Sequence, residues 1–340
     1  MQGKPPEARA TEARLDALRE EARETGTVGG GGAAIVGGPI PRDPTAVSGY
    51  YGQPIVKPPV WTWQVGLYFF VGGTAGMSGV IALAGLVTGQ PIDLVRAALG
   101  VALAGAVISP ILLIADLGRP TRFLNMLRVF KWRSAMSMGV WTLLLFSGFA
   151  ASARLLTERS GLLTQLGVSP IAQRGLAFIF TIGTALFGVV LATYPGVLLG
   201  ATVIPAWSAH HRLLPFHFGV VALGSAGATL ELLGFRMAAL NAIGLTVAAV
   251  ETTVGAWIEL RRRDATARAL HTGAAGRLLR TAALMTGPVP LLLRLFGRVP
   301  IAAVCFLLGA VLSRYGWLLA GRFSALDPEE ALATQRAPSA

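Results

Sequence analysis

The sequence predicts an all-α, polytopic membrane protein with eight transmembrane helices, seven being the alternative count. Three observations predict it. Of 340 residues, 53% are hydrophobic and only 14% charged, and the mean hydropathy is +0.61. A soluble domain averages about 25% charged residues, and so few charges cannot cover a globular surface of this size. The 42 glycines also fit a bilayer protein, because small residues let helices approach closely where lipid surrounds them. Finally, apolar runs of about 20 residues, the length that crosses the hydrocarbon, recur along most of the chain.

Residues 1–60 stand apart. They carry seven basic and seven acidic side chains, so the net charge of +12 belongs to the remainder. Acid and base alternate from Glu7 to Glu24, glycines fill 29–32, and prolines lead up to Trp61. There is no apolar core of a secretory signal in the first 25 residues. This stretch is expected to be a mostly disordered tail, followed by a membrane domain over 61–322 and a C-terminal tail over 323–340.

Within the membrane domain the spans fall at Trp61–Thr88, Leu94–Ala115, Ala135–Leu156, Gly175–Val203, Leu213–Gly234, Met237–Leu260 and Val299–Ala320. Leu278–Phe296 is weaker, because it carries Arg280 and Arg294 near its ends. Arginines there can snorkel, so the segment counts as the eighth. Gly72 and Gly76 make a G-x-x-x-G spacing, with Gly79 along the same face, which predicts close helix packing. Pro195-Gly196 inside the fourth run predicts a kink or break. Basic residues gather after the second span (Arg119, Arg122, Arg128, Lys131, Arg133) and after the sixth (Arg261, Arg262, Arg263, Arg268, Arg277, Arg280). The other side has chiefly Arg154, Arg159 and Arg174. The positive-inside rule therefore places the N-terminal side in the cytoplasm. Basic residues spread through loops fit a lipid bilayer rather than nucleic acid, which calls for a basic face with interleaved readers.

Four places could carry chemistry. Asp116 ends the second span, where a carboxylate at the hydrocarbon edge is costly unless paired or functional. It either forms a salt bridge with Arg119 or Arg122, or takes a proton from a ligand at the membrane boundary. Tyr194, beside the proline of the fourth span, offers a hydrogen-bond donor, although tyrosines also settle at interfaces for packing alone. Glu251 lies near the middle of span six and Arg314 well inside the last. They are expected either to pair with each other or to serve a proton path through Glu251. Glu231, near the end of span five, reads as interfacial. The histidines His210, His211, His217 and His271 do not offer two facing ligands from separate helices, as a membrane b-haem needs. Single Cys305 cannot hold an iron–sulfur cluster. No metal site is expected.

The run Asp116-Leu117-Gly118-Arg119-Pro120-Thr121-Arg122-Phe123, followed by Phe130-Lys131 and Ser134-Ala135-Met136-Ser137, resembles the NrfD/PsrC family, the membrane subunits of polysulfide reductase and related iron–sulfur oxidoreductases. Tyr194-Pro195-Gly196-Val197-Leu198-Leu199, Ile204-Pro205-Ala206-Trp207 and Leu312-Ser313-Arg314-Tyr315 extend the likeness over about residues 50–323. The lead-in Tyr50–Trp61 looks like that of a subgroup found beside formate-dehydrogenase-like molybdoenzymes. Ala135, where the family often has proline, and Pro195 depart from the pattern.

The resemblance implies eight helices in a bacterial inner (cell) membrane and a menaquinone or ubiquinone headgroup near one face. It implies no haem and no iron–sulfur cluster in this chain. Its partners would be a ferredoxin-like iron–sulfur subunit and a molybdopterin catalytic subunit, linked by electron transport in anaerobic respiration. The residues it singles out are Asp116 and Tyr194 for the chemistry, with Asp116, Arg119, Arg122, Tyr194 and Arg314 around the quinone; Glu251 joins the chemical candidates on its intramembrane position alone. A proton- or ion-translocating transporter and an inert anchor are the competing functions.

Overall fold

The computed structural model describes residues 55–117, 119, 121–128, 130–132, 134–158, 167–261 and 268–336. Most of the expected tail, together with Arg133, Arg159, Arg262 and Arg263, lies outside the described residues. So does the Arg122 side chain.

Apolar length makes the helices, and short polar punctuation ends them. The helices are α1 (Trp63–Val87), α2 (Ile92–Asp116), α3 (Arg122–Arg128), α4 (Ala135–Thr157), α5 (Pro170–Gly200), α6 (Pro205–Ser208) and α7 (Leu213–Leu232). They continue as α8 (Ala238–Leu260), α9 (Arg268–His271), α10 (Gly273–Thr286), α11 (Pro288–Leu295), α12 (Val299–Leu326) and α13 (Pro328–Arg336). Among the described residues, eight segments are long and apolar enough to cross a bilayer: α1, α2, α4, α5, α7, α8, the Gly273–Leu295 stretch made by α10 and α11, and α12. The eight-span count holds. The segment expected as a C-terminal tail is helical as far as Arg336.

Helix starts follow local chemistry. Ser134 caps α4 by accepting from the Ser137 amide (3.4 Å), and Ser169 caps α5 by accepting from the Ala172 amide (3.2 Å). Pro170 then occupies a first-turn position, where its missing N–H costs nothing. Pro110 lies inside α2 and cannot donate to the Ala106 carbonyl, which instead faces the Ser147 hydroxyl at 3.4 Å.

Successive spans run antiparallel, so one end of the bundle collects the starts of α1, α4, α7 and α10, the ends of α2, α5, α8 and α12, and α13. This is the basic end. Contacts across it include Thr62 with Asp116 and Arg268 with Asp327 and Glu329. At the opposite end Arg96 donates to the Thr157 carbonyl and Gln173 to the Leu156 carbonyl, joining α2, α4 and α5.

The predicted glycine face does its work between α1 and α5. Gly76 and Gly188 cross backbone to backbone, and a Cβ on either would overlap the other's carbonyl. Of the kink or break expected at Pro195-Gly196, the break does not occur, since α5 continues to Gly200. Gly196 is needed for another reason: its Cα packs directly on the Leu214–Pro215 backbone, which brings the start of α7 against the end of α5.

Two clamps hold the ends. At the basic end, Trp61 stacks on fully buried Trp207 with ring centroids 5.1 Å apart, and Trp207 Nε1 donates to the Trp317 carbonyl at 2.8 Å. The Tyr315 hydroxyl donates to the Trp63 carbonyl at 2.8 Å, tying α12 to α1. At the opposite end, Arg294 forks onto Glu231 through bonds of 2.7 and 2.6 Å and also reaches Asn241 at 3.0 Å. Arg294 therefore does not snorkel. It is buried because a bidentate carboxylate awaits it inside the bundle, and Glu231 is internal rather than interfacial.

Candidate functional site

Two polar clusters occupy the half of the bundle nearer the basic end. The first lies among α1, α2, α4 and α5. Asp116 closes α2, half-buried, and accepts a hydrogen bond from the Thr62 hydroxyl, which also lies against Gln64 Oε1. Arg119 is exposed and makes no ion pair with Asp116, so among the described residues the loop salt bridge to Arg119 is absent and threonine takes its place.

About 10 Å deeper, at 1.5 Å per helical residue, Tyr68 and Ser109 meet over Gly72. The Ser109 hydroxyl is buried without a hydrogen-bond partner, and so is the indole N–H of Trp141 on α4. Tyr194 of α5 is buried and lies within electrostatic reach of Tyr68. Its phenol tip presses on Gly139 of α4, where a Cβ would come within 2.5 Å of the hydroxyl oxygen. Glycine at 139 is what makes room for the hydroxyl.

Asp116 and Tyr194 thus share one corner of the bundle without touching. Sequence reasoning missed Tyr68 and Ser109, since each sits in an apolar run that reads as ordinary span. Position relative to Asp116, seven residues before it for Ser109, was the one available signal.

The second cluster joins α7, α8, α10 and α12. Glu251 is 2% exposed. His217 Nδ1 lies 3.1 Å from its Oε1, His217 Nε2 lies 3.0 Å from the Ser313 hydroxyl, and the Thr286 hydroxyl is 3.5 Å from Glu251 Oε2. The expected direct Glu251–Arg314 pair is not formed. Arg314 stacks its guanidinium 3.8 Å over the Phe218 ring and donates from Nη2 to the Phe218 carbonyl at 2.9 Å. It remains within electrostatic reach of Glu251, and its Nε and Nη1 are buried without hydrogen-bond partners. The carboxylate's nearest partner is His217, which the sequence presents as a lone histidine near a span's start. Only the packing of α7 against α8 and α12 shows that it bridges two of them.

The clusters are separated by an aromatic wall. Tyr68, Phe69, Phe218 and His217 follow one another with ring centroids 5.7, 6.2 and 5.9 Å apart. Glu251 and Arg314 therefore lie on the far side of that wall from Tyr194 and Asp116.

Among the described residues no three His, Cys, Asp or Glu side chains converge as metal ligands. Eight spans enclosing phenol, hydroxyl, carboxylate and imidazole groups define a polytopic membrane protein equipped for hydrogen bonding and proton exchange within the bilayer. The chain belongs to the polysulphide reductase NrfD family, which it matches over residues 54–315. Proteins of that family are membrane subunits of quinone-interacting redox complexes, and typically pair with iron–sulfur and molybdopterin subunits. No curated protein matches the sequence.

Proposed function

We propose that this chain is the quinone-reactive subunit of a respiratory iron–sulfur oxidoreductase, with the headgroup held in the α1/α2/α4/α5 corner. The observation that carries this reading is the gathering of phenol and hydroxyl donors there: the Ser109 hydroxyl is buried without a hydrogen-bond partner beside Tyr68, and the Tyr194 hydroxyl, held against Gly139, makes no hydrogen bond among the described residues. A buried hydroxyl left unsatisfied costs about 1–3 kcal/mol, so the Ser109 hydroxyl, with the two phenols near it, fits a ligand that offers carbonyl oxygens. A quinone, ubiquinone or menaquinone, would supply a two-electron, two-proton couple when bound.

The protein's own groups divide the remaining work. Tyr194 donates to a carbonyl oxygen from a position fixed by Gly139. Asp116 accepts a proton at the membrane boundary, oriented by the Thr62 hydroxyl, and Arg119 keeps the mouth positive. The basic end also carries exposed Phe130, Lys131 and Trp132 between α3 and α4. Aromatic and basic groups together suit docking of a ferredoxin-like subunit, which would pass electrons to a molybdopterin subunit beyond it.

In the assembled complex, Asp116→Asn and Tyr194→Phe are each expected to reduce quinol-linked turnover at least tenfold while dye-linked activity of the soluble partner persists. Normal quinol turnover in both variants overturns the assignment. Quinone binding by the isolated subunit distinguishes this role from that of an inert anchor.

A further inference from the structure

A cavity opens beside the second cluster, and the quinone reading does not use it. The cavity has a volume of about 50 Å³, enough for roughly three to five water molecules at 10–15 Å³ each. At its inner end stand Glu251, His217 and Ser313, and at its outer end Glu259, His271 and Arg280. Glu251 and Glu259 are eight residues apart on α8, about 12 Å along the axis. The inner carboxylate is 2% exposed and the outer one 47%. His271 faces Glu259 across the mouth, with Nδ1 3.5 Å from Oε2, and Arg280 Nη2 donates to the His271 carbonyl at 2.5 Å.

The cavity leads one way. Toward the opposite end the span breaks at Gly287, whose Cα packs on Thr252, and farther on the Arg294–Glu231–Asn241 clamp fills the interior. The inner end has the polar partners that ordered water requires, two to four each. It also has the unpartnered Nε and Nη1 of Arg314 nearby, which keep a fixed positive charge within reach of Glu251.

We propose that this cavity is a proton entry from the basic end, and that Glu251 and His217 are its proton-accepting pair. A proton arriving from bulk water passes the Glu259–His271 mouth, travels through water in the cavity, and binds a Glu251 carboxylate oxygen. His217 shares it through Nδ1 and holds its orientation through the Nε2 contact to Ser313. The O–H bond broken is that of a protonated water in the cavity and the one formed is on the Glu251 carboxylate; no electrons are transferred and the charge added is one proton. Beyond the pair, Phe218 and Phe69 form an apolar barrier, so the pair is a loading site rather than a through-channel. The inference is independent of where a quinone binds.

The groups facing Glu251 are His217 from α7, Thr286 from α10, and Ser313 and Arg314 from α12. Glu259, His271 and Arg280 line the mouth. Two measurements on the full chain decide the matter without any quinone. In a Cys305→Ala background, Ala283→Cys and Val254→Cys on the cavity wall should react with a small cationic methanethiosulfonate added to sealed vesicles from the basic-end side. Lipid-facing Leu284→Cys should not react. Labelling from neither side, or from the opposite side alone, overturns the proposal. Infrared spectroscopy of the purified protein should show a carboxyl band that responds to bulk pH, absent in Glu251→Gln and retained at a shifted frequency in Glu251→Asp. If no pH-responsive band depends on Glu251, the cluster is a static hydrogen-bond network and the proposal fails.

Discussion

Removing Arg294 strands Glu231 inside the bundle. Both side chains are 2% exposed, and both guanidinium nitrogens of the fork bond to the carboxylate. Hydrogen bonds to charged groups contribute about 1.5–3 kcal/mol each, and breaking a buried pair from one side costs about 3–5 kcal/mol in total. Protonation of the stranded carboxylate limits the loss, and Asn241 remains nearby, so Arg294→Met is expected to lose about 3 kcal/mol. Methionine suits the space because Gly244 leaves a groove where the guanidinium packs, and a flexible thioether fills irregular gaps. The double variant Arg294→Met/Glu231→Leu leaves no buried charge and should return to within about 1 kcal/mol of the parent. Unfolding in mixed detergent micelles, analysed as a double-mutant cycle, measures both values. A single variant as stable as the parent, or a double variant as unstable as the summed singles, refutes the reasoning.

Three further outcomes are expected. Gly139→Ala places a methyl group against the Tyr194 hydroxyl; quinol-linked turnover should fall at least tenfold with assembly intact, and unchanged turnover would remove Tyr194 from the site. In α13, burial and neighbouring Asp327 push the Glu330 carboxyl up from 4.5 to about 7, against the Ala269 amide and Arg268. The folded form then holds the proton more tightly than the unfolded form, so docking of α13 is strongest below about pH 4.5 and weakens as pH rises through about 7. Protection of residues 328–336 from hydrogen exchange, taken relative to the intrinsic rate at each pH, should fall over that interval in the parent and lose this dependence in Glu330→Gln. For topology, Lys131→Cys in the Cys305→Ala background should escape a membrane-impermeant thiol reagent in intact cells, since the charge distribution puts the basic end in the cytoplasm; labelling from outside reverses the orientation.

The span count was readable because the bilayer demands about 20 apolar residues per crossing and the backbone must satisfy itself within each segment. Even the weakest segment met that demand, with Arg280 and Arg294 included. Asp116 and Tyr194 stand out in the sequence as polar groups inside recognisable motifs, which is why they enter the proposed site. Partner choice was not readable. Asp116 is met by Thr62, 54 residues away, rather than by the arginine three positions on. Glu251 is met by His217, and Arg314 by the Phe218 carbonyl.

Composition and periodicity thus determined that the chain crosses the membrane, how often, and which end is basic, because these depend on local length and transfer free energy. Only the tertiary structure decided which buried charges meet. In a bilayer each polar side chain takes whichever donor or acceptor the packing of α7, α8, α10 and α12 brings within about 3 Å. That packing depends on close approaches such as Gly76 on Gly188, which couple residues far apart in the sequence.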